Sequence, residues 1–178
     1  MRGQPVSVDA VQGAALEIRR VTPTDWRAVR HLRLAALAES PIAYCERWTD
    51  AAALDDDAWQ ARAARGAEGG DGCQVMAWDG ARPVATATAF ADDDGVAWLV
   101  AVHVAPDARG SGLLARLVEP LTSWAAEQGI PELRLEVHED NPRAAAAYRR
   151  LGFTETGRRR PYPLDPTGDE LEMSLPLA

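Results

Sequence analysis

Lysine is absent from the 178 residues, so all 19 basic side chains are arginine. With the heavy use of alanine this reads as composition bias, and arginine as a type carries no functional meaning here. The net charge of −8 leaves no cationic excess. That argues against nonspecific nucleic-acid binding, whose affinity comes from phosphate neutralisation by basic patches, and it tolerates cationic partners better. Cysteine is scarce: Cys45 and Cys73 form no CxxC pair and at most one disulfide, which reads as ordinary thiols in a reducing compartment. Histidine is scarce too. His31, His103 and His138 lie far apart without clustered cysteines, so no metal is expected. Long apolar runs are missing, and the longest, VAWLVAVHVA at 96–105, is far too short to cross a bilayer. The opening MRGQPVSVDAVQGAA has no apolar signal core, so residues 1–14 read as a polar leader and a cytoplasmic location is expected. What is present, 47% hydrophobic and 26% charged residues, suits one globular domain over residues 15–178, a length short for two cores.

Along the chain, ALEIRRV at 15–21 alternates enough for a first strand. Thr24 or Asp25 then caps a helix whose apolar Trp26, Val29, Leu32, Leu34, Ala36 and Leu37 roughly follow helical spacing and which stops before Pro41. A loop, SPIAYCERWT, leads to a polar helix near 54–65, with Asp55, Asp56 and Asp57 in its first turn as the helix dipole favours. CQVMAWD (73–79), PVATATAF (83–90) and VAWLVAVHV (96–104) follow as an antiparallel meander, with Asp-Gly turn signals between them. Leu113, Leu114, Leu117, Val118, Leu121, Trp124 and Ala125 mark a helix running to about 128, stopped by Gly129 and kinked by the internal Pro120. PELRLEVHE at 131–139 is a strand, NPRAAAAYRRL at 141–151 a short helix, and GFTETGR with GDELEMSLPL a closing strand pair. The class is α+β.

The chemistry concentrates in VAPDARGSGLLARL, residues 104–117. A helix N-terminus offers unpaired N–H groups and a positive dipole end, and Gly110 and Gly112 let the backbone approach a diphosphate closely. A simple strand–helix turn would account for one glycine, not for Arg-Gly-Ser-Gly at a helix start. Read as a dinucleotide fingerprint, Gly110-Ser-Gly112-Leu-Leu-Ala115 fits G-x-G-x-x-G/A, with Glu132 about 20 residues on. Yet that motif opens a series of parallel βαβ units, and the antiparallel meander ahead of it does not fit. His103-V-A-P-Asp107 resembles the H-x-x-x-D element of chloramphenicol-type acyltransferases, but Ala108 stands where that family has glycine. A third reading uses more of the chain. Arg109-G-S-Gly112 after V-A-P, the leucine-rich helix, LRLEVHEDN, and N-P-R-A-x-x-x-Y-x-x-L-G-F together resemble the GNAT superfamily of acetyl-CoA-dependent N-acetyltransferases. SPIAY at 40–44 and the ending ELEMSLPL extend the resemblance over about residues 16–177. Leu114 departs from the Gly or Ala usual at the last motif position.

The resemblance implies a mixed, mostly antiparallel sheet of six to seven strands flanked by about four helices, with splayed central strands. It implies a coenzyme A site built from Val102, His103, Val104, Arg109, Gly110, Ser111, Gly112, Leu113, Leu114, Asn141, Arg143 and Tyr148. Free N–H groups at Val102 and Val104 would act on the thioester as an oxyanion hole does, stabilising a tetrahedral intermediate. Tyr148 would be the acid for the leaving thiolate and Glu136 the candidate proton acceptor. His103 and His138 carry imidazoles that can relay protons near neutral pH, although surface placement is expected for both. Tyr44, Glu46, Trp48 and Trp98 are the candidates for lining the acceptor end, where a carboxylate beside aromatic faces would suit a cationic amine. The expected activity is acetyl transfer from acetyl-CoA to a primary amine of a small molecule, by a monomer or homodimer working without nucleic acid or membrane. The alternatives are an acyl-CoA-binding sensor of the same fold, or an acetyltransferase acting on peptide or protein N-termini.

Overall fold

The computed structural model describes residues 16–177; the polar leader expected over 1–14 lies outside the described residues. The chain runs β1 (Glu17–Arg20), α1 (Trp26–Glu39), α2 (Trp48–Ala52), α3 (Asp56–Glu68), β2 (Gly72–Asp79), β3 (Arg82–Ala91), β4 (Ala97–Val104), α4 (Leu113–Glu127), β5 (Glu132–His138), α5 (Pro142–Arg150), β6 (Thr154–Tyr162) and β7 (Asp165–Pro176). The seven strands form one sheet in the order β1-β2-β3-β4-β5-β7-β6. Every neighbouring pair is antiparallel except β4 and β5, which run parallel.

That exception shapes the molecule. β4 and β5 pair only at Ala97↔Leu133 and Trp98↔Arg134, after which they part. From Leu99 onward, the edge of β4 that faces β5 has no strand partner, and a cleft opens there. The sheet is covered on both faces. On one side Leu117, Leu121 and Trp124 of α4 pack on Val75, Ala87, Leu99, Leu133 and Leu135. On the other, Leu32 and Leu37 of α1 and Trp59 and Ala63 of α3 pack on Met76. These are the apolar stripes that the helical spacing marks.

Several local expectations are corrected. Asp25 stands at the N-cap of α1 but does not cap it: its carboxylate accepts from the Thr22 N–H at 2.7 Å and from Arg19 at 2.7 and 2.9 Å. The hydrogen bond from Arg19 comes first among the causes that hold the Asp25 carboxyl down at about 2. The loop expected between α1 and α3 contains the five-residue α2, too short to leave a hydrophobic period. Asp55, not the first turn alone, anchors α3, accepting from the Ala58 N–H at 2.9 Å. α4 is a single helix through Pro120, as expected, and Gly129 follows it at φ +73°. No helix among the described residues is long and apolar enough to cross a membrane.

Candidate active site in the split between β4 and β5

The cleft between β4 and β5 has a volume of about 860 Å³ and is walled by α4, α5, the loop after α1 and the start of β7. At one end the chain leaves β4 through a 3-10 turn, Pro106–Ala108, and enters α4. Gly110 and Gly112 there have φ of +79° and +77°, the left-handed region where only glycine is unstrained, and a Cβ on either would meet nothing within 4 Å. The requirement is therefore conformational, and the space above the loop is open. Among the described residues, the N–H groups of residues 110–114 find no acceptor. Five consecutive amides at the positive end of a fifteen-residue helix form a cradle for an anion. The side chains are occupied otherwise: Leu113 is buried in the core, and the Ser111 hydroxyl donates to the Ala108 carbonyl at 2.7 Å.

Arg109, expected in the coenzyme site, is engaged by the protein itself. Its Nε donates to the Val104 carbonyl at 2.8 Å and its Nη1 pairs with Glu39 at 2.5 Å. It braces the end of β4 against α1. The uncommitted cations are Arg143 and Arg150 on α5, which line the cleft without an acidic partner among the described residues. Arg150 escaped the sequence reading, although it lies seven residues after Arg143 and so on the same helix face. Asn141 caps α5, accepting from the Ala144 N–H at 3.2 Å.

Tyr148 of α5 lines the same cleft. Its ring meets Phe153 at 5.8 Å, and its hydroxyl has no hydrogen-bond partner among the described residues. Burial pushes that hydroxyl above the ordinary tyrosine range, so at neutral pH it keeps its proton. Tyr44 also lines the cleft, but its hydroxyl is committed, donating to the Val102 carbonyl at 2.7 Å. Ala101 beside it has φ +51° at a bulge where β4 slips against β3 between Thr86 and Thr88.

The four acceptor candidates are not brought together, since Tyr44 and Trp98 line the cleft and Glu46 and Trp48 do not. The Tyr44 ring already carries the Arg33 guanidinium at 4.7 Å. Glu46 pairs with Arg33 at 2.8 Å and Arg62 at 2.5 Å, and it lines a different cavity. Burial alone would raise the Glu46 carboxyl, but hydrogen bonds from Arg62 and Arg33 outweigh it and hold the group ionised. Two guanidinium groups leave that carboxylate no charge for a ligand. Trp48 is 48% exposed and lines neither cavity. Trp98 does line the cleft, at the point where the strands part, and its indole N–H donates to Asp92 at 2.7 Å.

Carboxylates reach this end from the other side. Glu136 on β5 lines the cleft and pairs with Arg160. Glu170 on β7, 7% exposed, lies 3.7 Å from Arg160; its Oε1 accepts from the Cys45 thiol, and its buried Oε2 has no hydrogen bond. Glu170 was missed, though its signal is visible: Glu170, Glu172 and Ser174 alternate along β7, and all three prove buried. The Cys45 thiol is pushed up to about 11, chiefly by burial, and stays protonated. His103 and His138, expected at the surface, are each 7% exposed. His138 accepts from the Asp140 N–H at 3.1 Å and packs edge-on to Tyr162 at 4.9 Å, whereas His103 has no hydrogen-bond partner among the described residues.

A family model described as Acetyltransferase (GNAT) family matches residues 27–153. The chain belongs to the GNAT acetyltransferase family. Its seven-stranded sheet, split at β4 and β5, is a GNAT fold. The peptidyl-lysine N-acetyltransferase YjaB of Escherichia coli is 40% identical over 70 residues, 36% of this chain and 44% of that protein. Aminoglycoside N(6')-acetyltransferase type 1 of Acinetobacter genomosp. 13 is 38% identical over 63 residues, 35% of this chain and 43% of that protein. The matched segments thus span less than half of these curated relatives. Among solved structures, a Salmonella typhimurium acetyltransferase determined with its cofactor acetyl-CoA superposes with a TM-score of 0.74 at 19% identity, over 93% of this chain and 95% of that one.

Proposed function

We propose that this GNAT protein is an acetyl-CoA-dependent N-acetyltransferase whose acceptor is a cationic amine of a small molecule. The observation that carries the reading is one cleft joining three features: the amide row of residues 110–114, the unpartnered Tyr148 hydroxyl, and the carboxylates of Glu136 and Glu170. The amide row and Arg143 and Arg150 would hold the coenzyme's phosphates. Backbone groups of Val102, His103 and Val104, on the stretch of β4 that has left β5, would hold the pantetheine and polarise the thioester carbonyl. Bound there, acetyl-CoA supplies the activated acetyl group. Tyr148 gives a proton to the departing sulfur.

Two carboxylates sharing a single arginine, Arg160, leave this end of the cleft with excess negative charge, which favours a cationic acceptor. That the named relatives act on aminoglycosides and on peptidyl-lysine supports an amine as acceptor. A thiol-release assay over amino acids, polyamines, aminoglycosides and lysine peptides tests the reading. Steady release that depends on a small cationic amine supports it. Release with peptides alone would shift the acceptor class, and acetyl-CoA binding without release across the panel would make the protein a sensor.

A further inference from the structure

Behind β3 and β4, under α1 and α3, lies a second cavity of about 670 Å³. Its floor is polar where a sheet face under two helices would ordinarily be apolar: Gln74, Thr86 and Thr88 lie side by side there. Buried polar groups are costly unless paired. Gln74 Nε2 donates to Thr86 Oγ1 at 3.0 Å, and that hydroxyl donates to the Val75 carbonyl at 3.0 Å. His103, directly opposite Thr86 in the β3–β4 register, has no side-chain hydrogen bond among the described residues, and neither has Thr88. His103 lines this cavity and the cleft alike, as do Arg33 and Ala101.

The bulge explains how a histidine comes to face this way. Ala97 and Leu99 point into the core beneath α4, and strict alternation would send residue 103 there too. The extra residue at Ala101 reverses the parity, so that Val102 and Val104 pack on that core and His103 turns to the opposite face. A strained alanine is thus spent on presenting one imidazole between two cavities.

We propose that His103 is the base that takes the proton from the acceptor amine, a role that rests on the N-acetyltransferase reading above. The cationic amine first loses one proton to solvent, which frees its lone pair; as that nitrogen bonds to the acetyl carbon and the carbon–sulfur bond breaks, the remaining surplus N–H proton passes to the imidazole and the sulfur takes the Tyr148 proton. Solvent then removes the proton from the imidazole and restores the one on the tyrosine, leaving an amide and a thiol. Burial pushes the His103 imidazole below its ordinary value, which keeps it neutral and able to accept near pH 7. The charged and titratable groups around it are His31, Arg33 and Glu39 from α1, with Arg109 from the loop before α4. Glu39 is engaged by Arg109 and Arg33 by Glu46, and from β3 the neighbour is the neutral Thr86. Glu136, the base implied by the family resemblance, is engaged by Arg160.

The test uses the full chain with the best amine from the screen. His103→Gln should lower kcat by about 10²-fold, as loss of a general base does, and flatten the acid limb of the pH–rate profile. Acetyl-CoA affinity, read by calorimetry, should stay within about twofold. His103→Ala should respond to added imidazole with about tenfold recovery or more, which a packing role would not give. In the ligand-free wild type, the imidazole resonance that disappears in His103→Gln should titrate below an ordinary histidine. A His103→Gln chain that keeps kcat within about threefold and retains the acid limb overturns the role of His103. Failure of the wild type to turn over any amine overturns instead the reading on which it rests.

Discussion

Tyr148 and Tyr44 line the same cleft, yet only Tyr148 has a hydroxyl free to give its proton, because that of Tyr44 is donated to the Val102 carbonyl. Tyr148→Phe keeps the ring that packs on Phe153 and removes the donor alone. The expected outcome is a fall in kcat of about 10²-fold with acetyl-CoA affinity unchanged, checked by steady-state kinetics and calorimetry. A loss of thermal stability matching the loss of rate would assign Tyr148 to packing. Glu46 makes the opposite case. Its type and its place in SPIAYCERWT marked it as a ligand for a cation, but nothing local reveals that Arg33 on α1 and Arg62 on α3 converge on it. Glu46→Gln should leave the acceptor KM alone and cost stability, about 1–3 kcal/mol, through two part-buried guanidinium groups left without their counter-charge. Thermal unfolding and acceptor kinetics together separate the two roles, and a raised KM at unchanged stability would restore Glu46 to the site.

Element boundaries were legible wherever a period or a turn residue marked them. α4 shows this: its leucine spacing, Gly112 before it and Gly129 after it delimit a helix of residues 113–127. The bulge in β4 was not legible, because Ala101 is neither glycine nor asparagine and nothing in VAWLVAVHV breaks the apolar run. A parity reversal is a tertiary fact, fixed by the β3 register, and it decides on which side His103 emerges. The entry to α1 is a similar case. Asp25 has the residue type of a cap, but the carboxylate ties β1 to the turn before the helix through Arg19 and Thr22. Because the folded-state pKa is depressed from 3.8 to about 2, folding favours the ionised form. The stability this adds is complete above the unfolded value and lost as pH falls through about 2. Asp25→Asn should therefore unfold at a lower temperature than the wild type near pH 7, with the gap closing as the pH approaches 2. Thermal scans along a pH series check this, and a gap that stays constant down to pH 2 would contradict the ion-pair account.

Across the whole molecule, the proposed coenzyme site of this acidic chain would hold an anion by geometry more than by charge. The net charge is −8, yet the amide row at α4 and the cations Arg143 and Arg150 of α5 line one and the same cleft. At the other end Glu136 and Glu170 outnumber Arg160. The loop residues 109–114 of the first end are contiguous in sequence and were readable there, whereas Arg150 was not. Those of the second are scattered over β5, β6 and β7, and only the sheet order β5-β7-β6 brings them together. The account joins both ends into one reaction, so its most direct test asks for both in one experiment. Acetyl-CoA binding and amine-dependent thiol release are measured on the wild type and on Gly112→Glu, which sets a carboxylate and a strained φ of +77° where backbone must meet phosphate. The account predicts binding and turnover in the wild type and neither in a variant that remains folded. Equal binding and equal turnover in the two proteins would contradict it.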